Sequence, residues 1–231
     1  EVYSYTYDHA ERLQSVTHQL NDNTAVVIAE NKYDEVGRLQ GKTSPVETIS
    51  YQYNVRGWMT QAAGTKFKET LAYNDAVNGL SPSTPYYGGN ISALKWQAGA
   101  QAQECGYRFS YDGKGQLTQA LYGEGSNVTL NNNYNIEASY DKMGNIKYLY
   151  RRGKNDTGFA SIDDLTCSYK GNQLSKVTEG HVTEPTFYGA FNFVDGADVG
   201  NEYIYDANGN LTQDYNKKIT KIEYNSLNLP S

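Results

Sequence analysis

Several residues that tie a chain to familiar chemistry are scarce in these 231 residues. Cysteine occurs twice, at Cys105 and Cys167. A single pair is no disulfide framework, and neither cysteine stands in a metal-type Cys-x-x-Cys. The two could bond only if the fold brings them together. Histidine occurs three times, at His9, His18 and His181. No Gly-x-Ser-x-Gly elbow, phosphate loop or His-Glu-x-x-His is present. No apolar run approaches the roughly 18 residues that span a bilayer. Lysine and arginine form no cluster and the net charge is −6, which argues against nucleic acid and anionic membrane partners. No leader pattern opens the chain. It begins inside an alternating stretch, Val2-Tyr3-Ser4-Tyr5-Thr6-Tyr7, and closes inside another, Ile222-Glu223-Tyr224-Asn225. The reading is a piece cut from a longer protein, so missing targeting signals say nothing of compartment.

Tyrosine and glycine are plentiful. There are 22 of each, against 6 Phe and 2 Trp. Tyrosine suits a pleated, half-buried surface. Helix formers are concentrated in no long window. The composition predicts an all-β chain with many turns.

One phrase recurs: Tyr-Asp-x-x-Gly-x-Leu. It appears as Tyr7-Asp8 with Leu13, Tyr33-Asp34 with Gly37 and Leu39, and Tyr53-Asn54 with Gly57 and Met59. It returns as Tyr111-Asp112 with Gly115 and Leu117, Tyr140-Asp141 with Gly144 and Ile146, and Tyr205-Asp206 with Gly209 and Leu211. A repeat of this regularity predicts an array whose function lies in the surface it builds. Each copy reads as a β-hairpin. The Asp carboxylate accepts backbone N–H groups just ahead of it in a type I turn. The Gly supplies the left-handed residue that follows and forms a bulge. Tyr then stands opposite Leu on one face. Tyr169-Lys170-Gly171-Asn172-Gln173-Leu174 is one residue shorter. A two-residue Gly-Asn loop there keeps Tyr169 opposite Leu174. The copies at Tyr73-Asn74-Asp75 and Tyr224-Asn225-Ser226 lack the glycine.

Anchor tyrosines fall at positions 7, 33, 53, 73, 111, 140, 169, 205 and 224. The hairpins keep their length and the connections do not. The longest connection holds an insertion over 74–90, with the loop Ser81-Pro82-Ser83-Thr84-Pro85 and then a strand-like stretch at Ile91–Trp96. Residues 151–164 read as a second insertion with a short helical turn. No linker divides the chain, so 1–231 reads as a single repeat region.

These motifs resemble the YD-repeat, or Rhs, family of bacterial surface and toxin-associated proteins. Tyr33-Asp34-Glu35-Val36-Gly37-Arg38-Leu39 and Tyr205-Asp206-Ala207-Asn208-Gly209-Asn210-Leu211 carry the hallmark. The resemblance implies consecutive antiparallel hairpins in one elongated, twisted or spiralling sheet. In relatives such a strip forms a shell that encloses a C-terminal toxin or projects from the cell surface. The implied partners are the rest of the parent repeat protein, an enclosed toxin domain and a cell-surface glycan; the implied location is secreted or surface-exposed. The family's self-cleaving core carries Asp-Pro pairs. The five prolines here follow Ser44, Ser81, Thr84, Glu184 and Leu229, so that activity does not carry over.

The remaining candidates for chemistry are weak. Asp206-x-Asn208-x-Asn210 resembles the start of a calcium loop, but Leu211 and Lys217 stand where it needs Gly and a bidentate Glu. Asp163-Asp164 and Glu104 read as isolated carboxylates, and His9 as a solvated turn residue. No catalytic residue, metal site or cofactor is expected. The function expected is structural scaffolding. The alternative is a carbohydrate-binding or adhesion module in which Trp58, Trp96 and surface tyrosines stack on sugar rings. The uncapped terminal strands, Tyr3–Tyr7 and Ile219–Tyr224, predict self-association.

Overall fold

A computed structural model describes residues 1–77, 79–80, 84–99, 103–125, 127–155, 158–180 and 192–231. His181 and the Ser81-Pro82-Ser83 part of the expected loop lie outside these. The described residues contain strands and turns and no helix. Hydrogen bonding follows chain order in antiparallel hairpins, and the path does not close. The all-β expectation therefore holds. The chain groups into two compact units, Glu1–Arg108 with Gly123–Leu130, and Phe109–Tyr122 with Asn131–Ser231.

The first unit holds β1 (Val2–Tyr7), β2 (Leu13–Gln19), β3 (Val26–Tyr33), β4 (Leu39–Thr43), β5 (Thr48–Tyr53), β6 (Met59–Ala63), β7 (Phe67–Ala72), β8 (Ala93–Ala98) and the start of β9 (Cys105–Tyr111). β1 is exposed throughout, β4 and β5 alternate between exposed and half-buried, and Ala62 on β6 is the one buried hydrophobe of β1 to β6. Between β7 and β8 the pattern breaks. No hairpin forms at Tyr73-Asn74; β7 pairs directly with β8, and Leu71 stands opposite Leu94. Val77 and Leu80, which follow β7, pack instead. Ala72, Val77, Leu80, Ala93 and Val128 form a buried cluster with Leu130 against it. Gly106 on β9 makes the space: a Cβ there would come within 3.0 Å of Leu80 Cδ1 and 2.7 Å of the Leu94 carbonyl. Leu130 belongs to β11 (Thr129–Leu130), which pairs with Gly123 and Glu124 at the end of β10 (Leu117–Glu124).

The second unit holds the rest of β10, β12 (Ile136–Tyr140), β13 (Ile146–Asn155), β14 (Gly158–Lys170), β15 (Gln173–Glu179) and a separate pair, β16 (Tyr203–Tyr205) with β17 (Leu211–Asp214). The described residues of 151–164, namely 151–155 and 158–164, form no insertion with a helical turn; they belong to the long hairpin β13–β14. Arg151 lies directly opposite Asp163, and its Nε and Nη2 both reach Asp163 Oδ2, which is fully buried. Charges twelve residues apart in sequence are cross-strand neighbours, and that pairing favours strand over helix. Nor is Glu104 isolated: it pairs with Lys95 at 2.6 Å. The last expected strand, Ile219–Tyr224, is reduced to isolated bridges, Asp214 with Ile219 and Tyr224 with Pro230. No disulfide joins Cys105 and Cys167.

Candidate functional site: a tyrosine ladder along the turns

Each repeat turn is built around one carboxylate. Asp8 N donates to Arg12 O, and Glu11 N returns to Asp8 O. Oδ1 of Asp8 accepts from Ala10 N and Arg12 N at 2.9 and 3.0 Å. Oδ2 accepts Arg12 Nε at 2.7 Å. The same set recurs at Asp34 with Val36, Arg38 and the Arg38 guanidinium. It recurs at Asp141 and Asp206, where the Asn145 and Asn210 amides replace the guanidinium. At Asp112 the carboxylate holds Lys114 N and Gln116 N. In each of these five turns the Asp Oδ1 holds two backbone donors, and in four of them an Arg or Asn four residues on takes the remaining oxygen.

These bonds favour the ionised carboxyl. Asp8 is held down at about 2, first by the Arg12 guanidinium and then by the Arg12 N–H. At Asp34 partial desolvation pushes upward, but the Arg38 N–H and guanidinium outweigh it. The Asn145 amide lowers Asp141, and the Asn210 amide lowers Asp206.

The fifth residue of the turn has positive φ. Gly37, Gly57, Gly115, Gly144 and Gly209 lie between 79° and 94°. Glu11 and Asn228 occupy the same place at 59° and 56°. The Tyr224 copy thus keeps the turn without glycine: Asn225 Oδ1 accepts from Leu227 N and Leu229 N. Past the turn Tyr7 faces Leu13, Tyr33 faces Leu39, Tyr53 faces Met59, Tyr140 faces Ile146 and Tyr205 faces Leu211. Tyr169 faces Leu174 across the two-residue Gly171-Asn172 loop. In each of these hairpins the register then skips one residue, a bulge just after the Leu position. At the residue after the Leu position, the hydroxyls of Thr118, Ser175 and Thr212 donate to the carbonyls of Ser110, Ser168 and Ile204.

The carbonyl beside the bulge links one repeat to the next. Tyr33 Oη donates to Leu13 O, Tyr53 Oη to Leu39 O and Tyr73 Oη to Met59 O, at 2.8, 2.9 and 2.8 Å. In the second unit Tyr140 donates to Leu117 O, Tyr169 to Ile146 O, Tyr205 to Leu174 O and Tyr224 to Leu211 O, at 2.8 to 3.1 Å. Each of these seven tyrosines thus grips the Leu-position carbonyl of the repeat before it. The residue after the positive-φ position reinforces the grip. The Arg12 guanidinium lies over the Tyr33 ring at 4.6 Å and Arg38 over Tyr53 at 4.8 Å. Trp58 packs on Tyr73 at 4.9 Å. Turns also touch directly: Arg38 Nη1 reaches Asn54 O, Lys114 Nζ reaches Lys142 O, Asn145 reaches Asn172 and Asn210 reaches Asn228.

Sequence reasoning placed the turn and the Tyr–Leu pair but missed this ladder. Its signal was present: every anchor is Tyr and never Phe. Trp58 has the Arg56 guanidinium over its ring at 5.2 Å, and Trp96 stacks on Tyr107 at 5.7 Å. Both rings are engaged with neighbours. His18 stacks on Tyr3 and meets Glu1 Oε1 at 2.8 Å. Among the described residues no group of three or more His, Cys, Asp or Glu could hold a metal ion, and no helix is long and apolar enough to cross a membrane.

No family model matches the sequence, and no curated protein aligns with it. Among solved structures, the fold is similar to a chain of the TcdB2-TccC3-Cdc42 complex, at 13% identity and a TM-score of 0.53. The match covers 91% of this chain and 12% of that one. A chain of TcdB2-TccC3 aligns at 12% identity with a TM-score of 0.38, over 91% of this chain and 14% of that one. At such identities the likeness is one of fold, and this chain spans a small part of the length of either.

Proposed function

We propose that this chain is a structural segment of a YD-repeat scaffold, secreted or held at a bacterial cell surface. There it forms part of a β-wall or stalk that encloses or displays another domain of the same protein, such as a C-terminal toxin. The observation that carries this reading is the ladder: seven tyrosine hydroxyls, each bonded to the preceding repeat. Chemistry distributed identically over many repeats builds an extended surface and does not converge on one substrate. The fold likeness to a much longer chain agrees with a segment of a large assembly. The adhesion reading has less support, since Trp58 and Trp96 are engaged with Arg56, Tyr73 and Tyr107.

The test is limited proteolysis of the full gene product, intact and with ladder tyrosines changed to Phe. A scaffold that encloses a domain protects it, and protection drops when the ladder is broken. Equal digestion of that domain in both proteins contradicts the enclosing role. Selective binding on a glycan array would favour adhesion instead.

A further inference from the structure

The outer edge of β15 is closed by side chains instead of a strand. β14 lies along one side of β15. On the other, Glu202 N donates to Ser175 O at 2.7 Å. Two carboxylates then take the places of backbone carbonyls. Val177 N donates to Glu202 Oε2 at 3.0 Å and Glu179 N to Asp195 Oδ2 at 3.1 Å. Ser175, Val177 and Glu179 alternate along the strand, so their edge groups point the same way. The segment carrying these carboxylates is also fastened through side chains. Phe193 N meets Asp163 Oδ1 at 2.6 Å, Gly196 N and Ala197 N share Asn216 Oδ1, and Lys176 pairs with Asp198 at 2.7 Å.

Glu202 is fully buried. Its Oε2 also accepts Asn216 Nδ2 at 2.8 Å, while Oε1 has no hydrogen-bond partner and lies 3.9 Å from Lys176 Nζ. Such a carboxylate is held by charge: an ionised acceptor binds N–H groups about twice as strongly as a neutral one. The charged and titratable groups around the contact are Lys176 and Glu179 on β15, Asp198 on the segment, Asp164 on β14, Tyr203 on β16 and Asp214 on β17.

We propose that residues 192–202 are a charge-held strap over the edge of β15, released when Glu202 and Asp195 lose their charge. Release bares the Val177 and Glu179 N–H groups, an edge open to pairing with another strand.

Amide-resolved hydrogen exchange on the whole chain at pH 7 tests this. Charge is removed by Glu202→Gln with Asp195→Asn, which keep shape. Val177 and Glu179 are expected to lose at least tenfold protection in the double variant. Thr178, whose N–H points toward β14 by alternation, should change less than twofold. Unchanged protection at Val177 and Glu179 in the double variant overturns the proposal. So does a loss spread evenly over β14 and β15, since that is unfolding and not release of a strap.

Discussion

The hairpins β1–β6 and the stretch between β7 and β8 lie in one unit and are stabilised in opposite ways. In the hairpins almost nothing is buried, and order comes from ladders, turn carboxylates and tyrosine hydroxyls. Between β7 and β8 the hairpin is gone and Leu80, Val128 and Ala93 are sealed from solvent. The inter-repeat link survives the change: Tyr73 still bonds Met59 O and still carries Trp58 on its ring. Coupling between repeats therefore resides in the hydroxyl and the carbonyl, and the hairpin is one way of presenting them.

The largest expected effect separates the two regions. Leu80→Ala should cost about 2–5 kcal/mol by leaving a cavity in the packed cluster. Ile49→Ala, at a half-buried hairpin position, should cost about 1 kcal/mol. Urea melts of both variants measure this, and equal losses would erase the contrast.

Next come the turns. Gly209→Ala should cost about 1 kcal/mol, because its φ of 87° disfavours a Cβ. Glu11→Gly should do the reverse and raise the melting temperature, since Glu11 sits at 59° in the same turn position. At the carboxylate, Asp34→Ala should lower the melting temperature more than Asp34→Asn. Asn54 shows that an amide oxygen alone holds both turn N–H groups, here those of Arg56 and Trp58.

The smallest effects are those of pH. Asp8, Asp34, Asp141 and Asp206 all have folded-state pKa values below the ordinary one. Their contribution is present above about pH 4 and is lost as pH falls below the ordinary carboxylate range, for Asp8 toward about 2. These groups are solvated, so the loss should be gentle and screened by salt. Tyrosines shift the other way. Burial raises Tyr73, Tyr169 and Tyr205, and burial with the Asp164 carboxylate pushes Tyr148 up to about 12. Their contribution is complete below about pH 10 and is lost above it. Melts from pH 2 to 11.5 should show a decline at each end. A flat alkaline limb would contradict the burial of these tyrosines.

The sequence made the hairpins legible because their determinants are local. Asp206, Gly209 and the facing pair Tyr205–Leu211 lie within seven residues. The same holds for the shortened loop at Gly171-Asn172. What escaped was set by partners far along the chain. Tyr205 bonds a carbonyl 31 residues back, and Arg151 meets Asp163 only across a hairpin. The glycine-free turn at Asn225 was hidden because Asn228 tolerates the left-handed region nearly as glycine does. The packed cluster was hidden because Val128 reaches Leu80 from a distant segment.

The ladder itself is tested most directly by removing single hydroxyl oxygens. Tyr53→Phe, Tyr73→Phe and Tyr205→Phe each keep the ring and delete one bond to the preceding repeat. Tyr5→Phe, on the exposed face of β1, is the control. Chemical denaturation should show a loss of about 1 kcal/mol for each of the three and none for Tyr5→Phe. Four variants all as stable as the parent chain would contradict the claim that tyrosine hydroxyls join the repeats.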